Sequence, residues 1–312
     1  MNLPITNAPA AHAPARNAPA LNIVHLSTFE PFDIYLHQQV RRAWPGVKAL
    51  RVVWPTGKDT RKKRLKRSPL DAVLRSLEWR LFYARRTEAL RIIASQQLFG
   101  SDVPPTIEAA AEVTSTAVNS GATVQLLHEL KPDLLLVSNA PILKPAVFGI
   151  PPLGTINLHR GITPEYRGEH TFFWPILRRD YEKVGVTLHY IDDGIDTGDV
   201  LAQASLDLSS TDNDGTLNAK AARAAAELVL RFLPCAIYRP RGQKPSEGGR
   251  LWYARERRAW HDLQLMLRRQ LGEAIPETSG SSRLYFSENR SGFATSSDVV
   301  ASEPCQELVS AT

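Results

Sequence analysis

A near-continuously apolar run, Asp133–Ser138 (DLLLVS), constrains the fold of this chain most. Strands that are apolar without alternation are buried on both faces, as in the parallel sheets of α/β proteins. Similar short apolar runs occur at Leu21–Ser27, Val47–Trp54 and Gly154–His159, and stretches with a helical pattern lie between them. This pattern predicts a βαβ rhythm and a Rossmann-like, mostly parallel sheet with helices on both faces.

Two further strands and several helices complete the predicted domain. The strands are expected at Val184–Ile191 and Val200–Leu208, where apolar and β-branched residues dominate. Residues 99–116 contain Pro, Ser and Thr and are interpreted as a connection. The predicted helices cover residues 33–43, 70–98 (one long or two short helices), 118–130 and 213–232.

The 312 residues divide into four parts, and this length suits one domain with appendages. Residues 1–19 are expected to be disordered, and residues 20–238 to form the α/β domain. Residues 239–273 are expected to form a short C-terminal extension, a strand or loop followed by an amphipathic helix. Residues 274–312 are predicted to be a disordered tail, because Ser, Gly, Thr and Glu dominate there.

The charge and the cysteine count narrow the functional classes. The net charge of +6 is concentrated partly in Arg61–Arg67, a run that either attracts phosphates or forms a solvated surface. Cys235 and Cys305 are too few for a disulfide framework or a tetrahedral metal site. We find no signal peptide and no apolar stretch of about 18 residues. A cytoplasmic protein without membrane contact is therefore expected.

Polar side chains follow two of the predicted strands. Asn157 and His159 are two residues apart at a strand end, so they lie on one face. Ligands of parallel α/β sheets bind beyond the carboxyl ends of the strands, where residues 160–168 leave the sheet. A second loop, residues 192–199, is rich in Asp and Gly. Asp196 in this loop is expected beside His159, where it would hold the tautomer and favour the imidazolium form.

The segments INLHRGITPEYRG and DDGIDTGD resemble the folate-dependent formyltransferases, which include the glycinamide ribonucleotide, methionyl-tRNA and amino-sugar enzymes. The resemblance places Asn157, His159 and Asp196 at the positions of the family's catalytic trio. It covers residues 120–240 well. One departure is Gly161-Ile162-Thr163-Pro164, where the tRNA and purine enzymes commonly have Ser-Leu-Leu-Pro.

The resemblance also implies a cofactor site and a substrate loop. The donor would be 10-formyltetrahydrofolate, a co-substrate, and no metal is expected. The residues implied to bind its pterin are Leu143, Ile191, Asp192, Asp193, Gly194 and Ile195. The residues implied for the substrate loop are Gly161, Pro164, Tyr166, Arg167 and Gly168.

The chemistry gives each member of the trio a role. Attack of an amine on the formyl carbon forms a tetrahedral intermediate with a negative oxygen. Asn157 and His159 would donate hydrogen bonds to this oxygen, each typically contributing about 3–4 kcal/mol. Asp196 would raise the pKa of His159 and assist proton transfer from the amine.

The acceptor is expected to be a small-molecule amine, phosphorylated or part of a sugar nucleotide. Methionyl-tRNA is the alternative; the tRNA enzymes add a β-barrel of about five strands, and residues 239–312 show one plausible strand. A second alternative is a non-catalytic folate-binding or regulatory protein. A third is nucleic-acid binding through Arg61–Arg67. The oligomeric state stays open, and a homodimer is compatible with the sequence.

Each candidate residue also has a structural interpretation. Asn157 and His159 alone would satisfy strand-end backbone groups, and Asp196 alone would favour a turn. Their joint order and spacing favour the functional interpretation. Four other histidines lack partners at metal-ligand spacing and are expected in core or surface roles. They are His25, His128, His170 and His189.

Overall fold

A computed structural model describes residues 3–4, 21–55, 84–246 and 248–286. The basic run at 61–67 and most of the predicted disordered N-terminal segment lie outside the described residues. Residues 287–312 and the first part of the predicted helical stretch 70–98 lie outside them as well.

The described residues form eleven β-strands. They are β1 (Leu3–Pro4), β2 (Ile23–Ser27), β3 (Lys48–Val53), β4 (Ala111–Thr114), β5 (Leu134–Ser138), β6 (Thr155–His159), β7 (Tyr166–Gly168), β8 (Gly185–Tyr190), β9 (Val200–Ser205), β10 (Arg250–Trp252) and β11 (Ser281–Leu284). Nine of them build one sheet in the order β1-β11-β9-β8-β6-β5-β2-β3-β4, and β7 and β10 pair separately.

The nine-stranded sheet has a parallel part and an antiparallel part. Strands β4, β3, β2, β5 and β6 run parallel to one another. Beyond β6, the strands β8, β9, β11 and β1 pair antiparallel. The predicted α/β fold with a Rossmann-like sheet is confirmed, with these antiparallel strands added at one side.

Seven α-helices are described. They are α1 (Pro31–Ala43), α2 (Ala84–Phe99), α3 (Gly121–Leu130), α4 (Pro145–Phe148), α5 (Phe173–Arg178), α6 (Asp214–Phe232) and α7 (Ala259–Gln270). Short 3₁₀ turns occur at Tyr181–Lys183, Leu233–Tyr238 and Ala254–Glu256. Helices α1, α2 and α6 contact one another, and α3 contacts α4.

Helices cover both faces of the sheet, because each strand buries apolar residues on both sides. Ile156 and Leu158 of β6 belong to a cluster that includes buried residues of α1 and α6. Leu135 and Val137 of β5 belong to a second cluster that includes Leu127 of α3. Leu135 and Val137 alternate with Leu134 and Leu136, which lie in the first cluster. This alternation explains the unbroken apolar run in the sequence.

Helix α6 is fixed by its N-terminal cap and its packing. The Asn213 side chain accepts hydrogen bonds from the N–H groups of Gly215 and Thr216, which satisfies donors of the first helical turn. Small buried residues such as Ala222 and Ala225 allow close approach to the sheet. The start of α6 is thereby held at the carboxyl edge of the parallel strands.

Two segments that were expected to be disordered, one near each end of the chain, contain a strand. Residues 274–312 were expected to be disordered, but β11 (Ser281–Leu284) pairs antiparallel with β9 in the main sheet. Leu3–Pro4, within the expected disordered N-terminal segment, pairs with Ser281 and Ser282. Backbone hydrogen bonding to β9 stabilises this polar strand although its side chains give little strand signal.

Two further findings were not predicted. The expected connection 99–116 contains β4, a four-residue edge strand. Cys235 is buried. Among the helices of the described residues, none is long and apolar enough to cross a membrane.

The C-terminal extension packs against the loop that follows β6. Strand β10 pairs in parallel with β7, so that Trp252 lies opposite Gly168. The Trp252 ring stacks on Trp174 at a centroid distance of 4.3 Å, and both side chains are buried. A short ribbon from the extension therefore holds the loop between β6 and β8 in place.

Candidate functional site

The site is built on the end of β6. Asn157 and His159 project from one face of this strand, while Ile156 and Leu158 enter the core on the other face. Asn157 lies opposite Val137 of the parallel strand β5. Both polar residues therefore lie at the carboxyl edge of the parallel strands, as the sequence predicted.

The loop between β8 and β9 brings Asp196 to this edge. Asp192 Oδ1 closes the loop by accepting hydrogen bonds from Gly194 N–H at 3.0 Å and from the Thr197 hydroxyl at 2.7 Å. A side chain at Gly198 would place its Cβ 1.8 Å from the Tyr190 carbonyl oxygen, so only glycine fits there. Asp196 itself has φ 52°, a left-handed conformation that Asp adopts more readily than most residues.

Asp196 contacts both of the other predicted residues. Its Oδ2 lies 3.3 Å from His159 Nδ1, and its Oδ1 accepts from Asn157 Nδ2 at 3.4 Å. The backbone N–H of Gly168 donates to Oδ2 at 2.9 Å, which anchors the carboxylate. The structure thus brings Asn157 and His159 of strand β6 together with Asp196 of the loop between β8 and β9.

The charge state of Asp196 follows from its neighbours. Burial alone would raise the pKa of this carboxyl. The charge of His159 in its protonated form, the neighbouring His189 and the Gly168 N–H outweigh burial and hold the pKa well below its ordinary value. Asp196 is therefore ionised at neutral pH, within reach of both His159 and Asn157.

The two ring nitrogens of His159 both face hydrogen-bond acceptors. Nε2 donates to the Tyr166 carbonyl oxygen at 2.8 Å, while Nδ1 faces Asp196 Oδ2. A neutral imidazole carries one N–H and satisfies only one of these acceptors. The geometry favours a second proton on the ring.

Burial opposes this second proton. Burial lowers the pKa of His159 and outweighs the Asp196 carboxylate and the Tyr166 carbonyl, which raise it. The expectation that Asp196 favours the imidazolium is correct in the direction of its own effect, but the net shift is downward. Burial therefore favours the neutral ring, which is positioned to accept a proton beside a carboxylate.

His189 joins the site and was missed by the sequence analysis, which assigned it a core or surface role. It lies directly opposite Asn157 in the antiparallel pair of β6 and β8. Its Nδ1 donates to the Tyr190 carbonyl oxygen at 2.7 Å, so Nε2 accepts from Asn157 Nδ2 at 3.1 Å. The sequence shows only a histidine inside an apolar strand. Its place in the site follows from the strand register, which sets it opposite Asn157.

The loop after β6 fits closely around His159. A Cβ at Gly161 would lie 2.6 Å from His159 Nε2 and 2.7 Å from the Tyr166 carbonyl oxygen. The small residue at this position is therefore required by the His159–Tyr166 hydrogen bond. The Tyr166 side chain is buried, and its hydroxyl donates to Asp180.

A cavity of about 640 Å³ opens in front of the trio. On the face of β6 that carries His159, its wall is formed by Val137, Leu143 and the loop that contains Ile195. This side is largely apolar, and Ile191 and Gly194 border it as well. An apolar wall of this kind suits a flat heterocycle.

The predicted binding residues divide into two groups. Among the expected cofactor-binding residues, those that line the cavity are Leu143, Ile191, Asp192, Gly194 and Ile195. Asp193 is exposed and does not line it. Of the expected substrate loop, Gly168 lines the cavity, whereas Gly161, Pro164, Tyr166 and Arg167 lie behind it and support the loop.

No group of three or more His, Cys, Asp or Glu side chains with metal-binding geometry occurs in the described part of the chain. The Asp-rich loop is closed instead by the Asp192 turn described above.

The fold and the site define an α/β protein with an Asn–His–Asp centre at the carboxyl edge of its sheet. Residues 92–233 match the family model described as formyl transferase. Over these residues the chain is similar to that family, and the resemblance noted in the sequence is confirmed.

Curated relatives match part of the chain as well. A methionyl-tRNA formyltransferase of Methylacidiphilum infernorum is 41% identical over 117 residues, which are 37% of this chain and 36% of the relative. One of Syntrophus aciditrophicus is 32% identical over 138 residues, 44% of each chain. The chain therefore spans well under half the length of the relatives it matches.

Solved structures resemble the chain more distantly. A sugar N-formyltransferase from Shewanella is 16% identical, with a TM-score of 0.48, and the match covers 75% of this chain and 77% of that one. A phosphoribosylglycinamide formyltransferase from Bacillus halodurans is 17% identical, with a TM-score of 0.42, over 69% of this chain and 92% of that one.

Proposed function

We propose that this protein is a folate-dependent formyltransferase that moves the formyl group of 10-formyltetrahydrofolate to an amine. The contact of one carboxylate, Asp196, with both Asn157 and His159 at the base of a cavity carries this proposal. The formyl transferase family match over residues 92–233 supports it independently. A non-catalytic folate-binding protein would not need all three groups in contact.

The cavity supports the donor assignment. Leu143 is buried beneath the cavity, and Ile191, Gly194 and Ile195 line it. An apolar surface of this kind provides stacking contacts for a pterin. When bound, the cofactor supplies an activated formyl carbon. The protein supplies the side chains that stabilise charge and accept protons around it.

We assign the oxyanion-binding role to Asn157. Its Nδ2 donates to His189 Nε2 at 3.1 Å and, more weakly, to Asp196 Oδ1 at 3.4 Å. The longer contact is the one that an oxygen with developing negative charge would replace. A single donor of this kind typically contributes about 3–4 kcal/mol to lowering the barrier.

We assign proton acceptance to His159. The amine nitrogen must lose a proton when it attacks the formyl carbon. In the neutral His159 ring, Nε2 donates to the Tyr166 carbonyl, so Nδ1 carries no proton and can accept one beside Asp196. Transfer to Nδ1 places the proton between His159 and Asp196, and the ring then returns it to the folate nitrogen as the bond between that nitrogen and the formyl carbon breaks. The ionised Asp196 stabilises the imidazolium so formed.

Two acceptor classes are supported to different degrees. The curated relatives are methionyl-tRNA formyltransferases, which favours methionyl-tRNA over the small amine preferred from the sequence. The small phosphorylated amine keeps one observation in its favour. In the described part of the extension, β10 pairs with β7 and β11 with β9, and these residues form no separate barrel.

A direct assay separates these acceptors. The purified full chain is incubated with 10-formyltetrahydrofolate and either methionyl-tRNA or a panel of amino-sugar nucleotides and phosphorylated amines. Release of tetrahydrofolate with formylation of any of them supports the proposed function and identifies the class. Binding of tetrahydrofolate without transfer to any acceptor would support the non-catalytic alternative and overturn the proposal.

A further inference from the structure

The cavity continues around the edge of β6 onto the opposite face of the strand. His159 projects toward the apolar donor side, whereas Arg160, the next residue, projects toward α1 and α6. Arg160 lines the cavity together with Asn218 of α6 and Asn139. The two faces of one strand end thus differ, one largely apolar and one polar and cationic.

Neighbouring side chains hold the Arg160 guanidinium in place. Nη1 donates to Asn218 Oδ1 at 2.8 Å, and Nη2 lies 3.5 Å from Asn139 Oδ1. The guanidinium carbon lies 5.7 Å from the centroid of the Phe32 ring. These contacts use two of the five N–H donors of an arginine and leave the others directed away from the two amides.

Arg160 is partly buried and forms no ion pair with a carboxylate of the described residues. The other arginine of the cavity behaves differently. Arg257 Nη2 lies 2.6 Å from Asp262 Oδ1 and 3.6 Å from Asp214 Oδ2. A partly buried guanidinium that is held by neutral amides has no carboxylate to neutralise its charge. The binding of an anion would neutralise that charge.

Carboxylates near Arg160 act at longer range. Glu169 lines the cavity and Asp33 is buried below it, and burial raises the pKa of both carboxyls while Arg160 lowers them. Asp33 is also engaged by Ser138, whose hydroxyl donates to it at 2.7 Å. Neither group occupies the donors of Arg160.

The start of helix α6 also borders this side. It begins at Asp214, and both Asp214 and Asn218 line the cavity. The partial positive charge of the helix N-terminus is offset there by the Asp214 carboxylate, so Arg160 supplies the positive charge of this side. The Arg160 fork and the start of α6 therefore border the same part of the cavity.

We propose that Arg160 binds a phosphate group of the formyl acceptor, on the face of β6 opposite His159. The acceptor class is then an amine that carries a phosphate close to the reacting nitrogen. The identification of the ligand as the formyl acceptor rests on the proposed function. The anion site itself is defined by Arg160, Asn218 and Asn139 alone. An arginine matches a phosphate through two parallel hydrogen bonds, which a lysine does not provide.

Phosphate binding tests the site without knowledge of the acceptor. Inorganic phosphate is titrated into the full chain loaded with tetrahydrofolate, and the dissociation constant is measured for the wild type, Arg160→Gln and Arg160→Lys. We expect at least about tenfold weaker binding for Arg160→Gln and a smaller loss for Arg160→Lys, which keeps the charge but not the fork. The matched control is Arg41→Gln, which removes an exposed charge from the far end of α1 and should change binding less than about twofold.

Equal phosphate binding by the wild type and Arg160→Gln would overturn the anion site. Tetrahydrofolate binding, measured in the same samples, shows that each variant is folded. A protein that binds phosphate through Arg160 but never binds tetrahydrofolate would refute the proposed function and leave the anion site standing. The two failures are therefore distinguishable.

Competition identifies the source of the phosphate. Glucosamine 6-phosphate is compared with glucosamine, and an RNA trinucleotide CCA is compared with cytidine. Displacement of inorganic phosphate by the sugar phosphate supports a small acceptor, and displacement by the trinucleotide supports a nucleotide backbone. Displacement by glucosamine and cytidine, which carry no phosphate, to the same extent as by their phosphate-bearing partners would contradict phosphate recognition.

Discussion

Asn157 and His189 face each other across the antiparallel strands β6 and β8, with Asn157 Nδ2 3.1 Å from His189 Nε2. The Tyr190 carbonyl accepts the Nδ1 proton of His189, so Nε2 is the acceptor in the neutral ring. This bond fixes which end of the Asn157 amide faces Asp196. His189 therefore positions the group to which we assign oxyanion binding.

Replacing His189 should impair turnover more than binding. For His189→Leu we expect kcat to fall about 10–100-fold, less than for loss of an oxyanion donor itself, because Asn157 stays present but loses its orientation. The dissociation constant of tetrahydrofolate should change little, since the apolar wall of the donor side is formed by Val137, Leu143 and Ile195. The control is His128→Leu on the exposed side of α3. An unchanged kcat for His189→Leu would refute the positioning role.

Gly161 should not tolerate a side chain. In Gly161→Ala, the new Cβ would lie 2.6 Å from His159 Nε2 and would displace the ring or the Tyr166 carbonyl. We expect a loss of about 1–3 kcal/mol in the free energy of unfolding, the usual cost of overpacking. Urea denaturation measures this loss.

Gly46→Ala is the matched control for Gly161→Ala, because a Cβ at Gly46 meets no atom within 4 Å. Its free energy of unfolding should stay close to that of the wild type. If both alanine variants were equally stable and active, the close fit of Gly161 against His159 would be disproved.

Stability should fall in mild acid because of two stacked, buried histidines. Burial lowers the pKa of His37 to about 4 and that of His25 well below its ordinary value, with the neighbouring charges acting in the same direction. Between pH 6.5 and about 4 the unfolded chain therefore binds more protons than the folded chain. The free energy of unfolding decreases as pH falls through this window, by up to about 1.4 kcal/mol per pH unit for each proton.

Urea denaturation between pH 7.5 and pH 4.5 measures this dependence. His37→Gln should flatten the curve, because one of the two groups no longer titrates. His128→Gln, at an exposed position, serves as the control and should leave the slope unchanged. A wild-type stability that rises as pH falls from 6.5 would contradict the assignment of neutral buried histidines.

The sequence predicted the parallel strands well because burial on both faces leaves a strong signal. Leu134–Ser138 and Thr155–His159 lie within the predicted runs. Strand β11 was missed because SSRL is short and polar and is stabilised by pairing with β9 rather than by its side chains. Pairing between distant segments has no local signature.

The site shows the same division. Asn157, His159 and Asp196 were predicted together and lie in contact, because motif spacing and strand ends are local properties. His189 was missed because its importance depends on the antiparallel register with Asn157. The net pKa direction of His159 was also beyond the sequence, since it depends on how completely the folded protein buries the ring.

The most direct test of the account is the single-turnover rate of formyl loss from 10-formyltetrahydrofolate, with hydroxylamine as a surrogate amine. For His159→Ala and Asp196→Asn we predict rates lowered by about 10²–10⁴-fold, the range expected for loss of a general acid–base group, with tetrahydrofolate binding largely retained. Variants that bind tetrahydrofolate and transfer the formyl group at the wild-type rate would contradict the assignment of catalysis to this site.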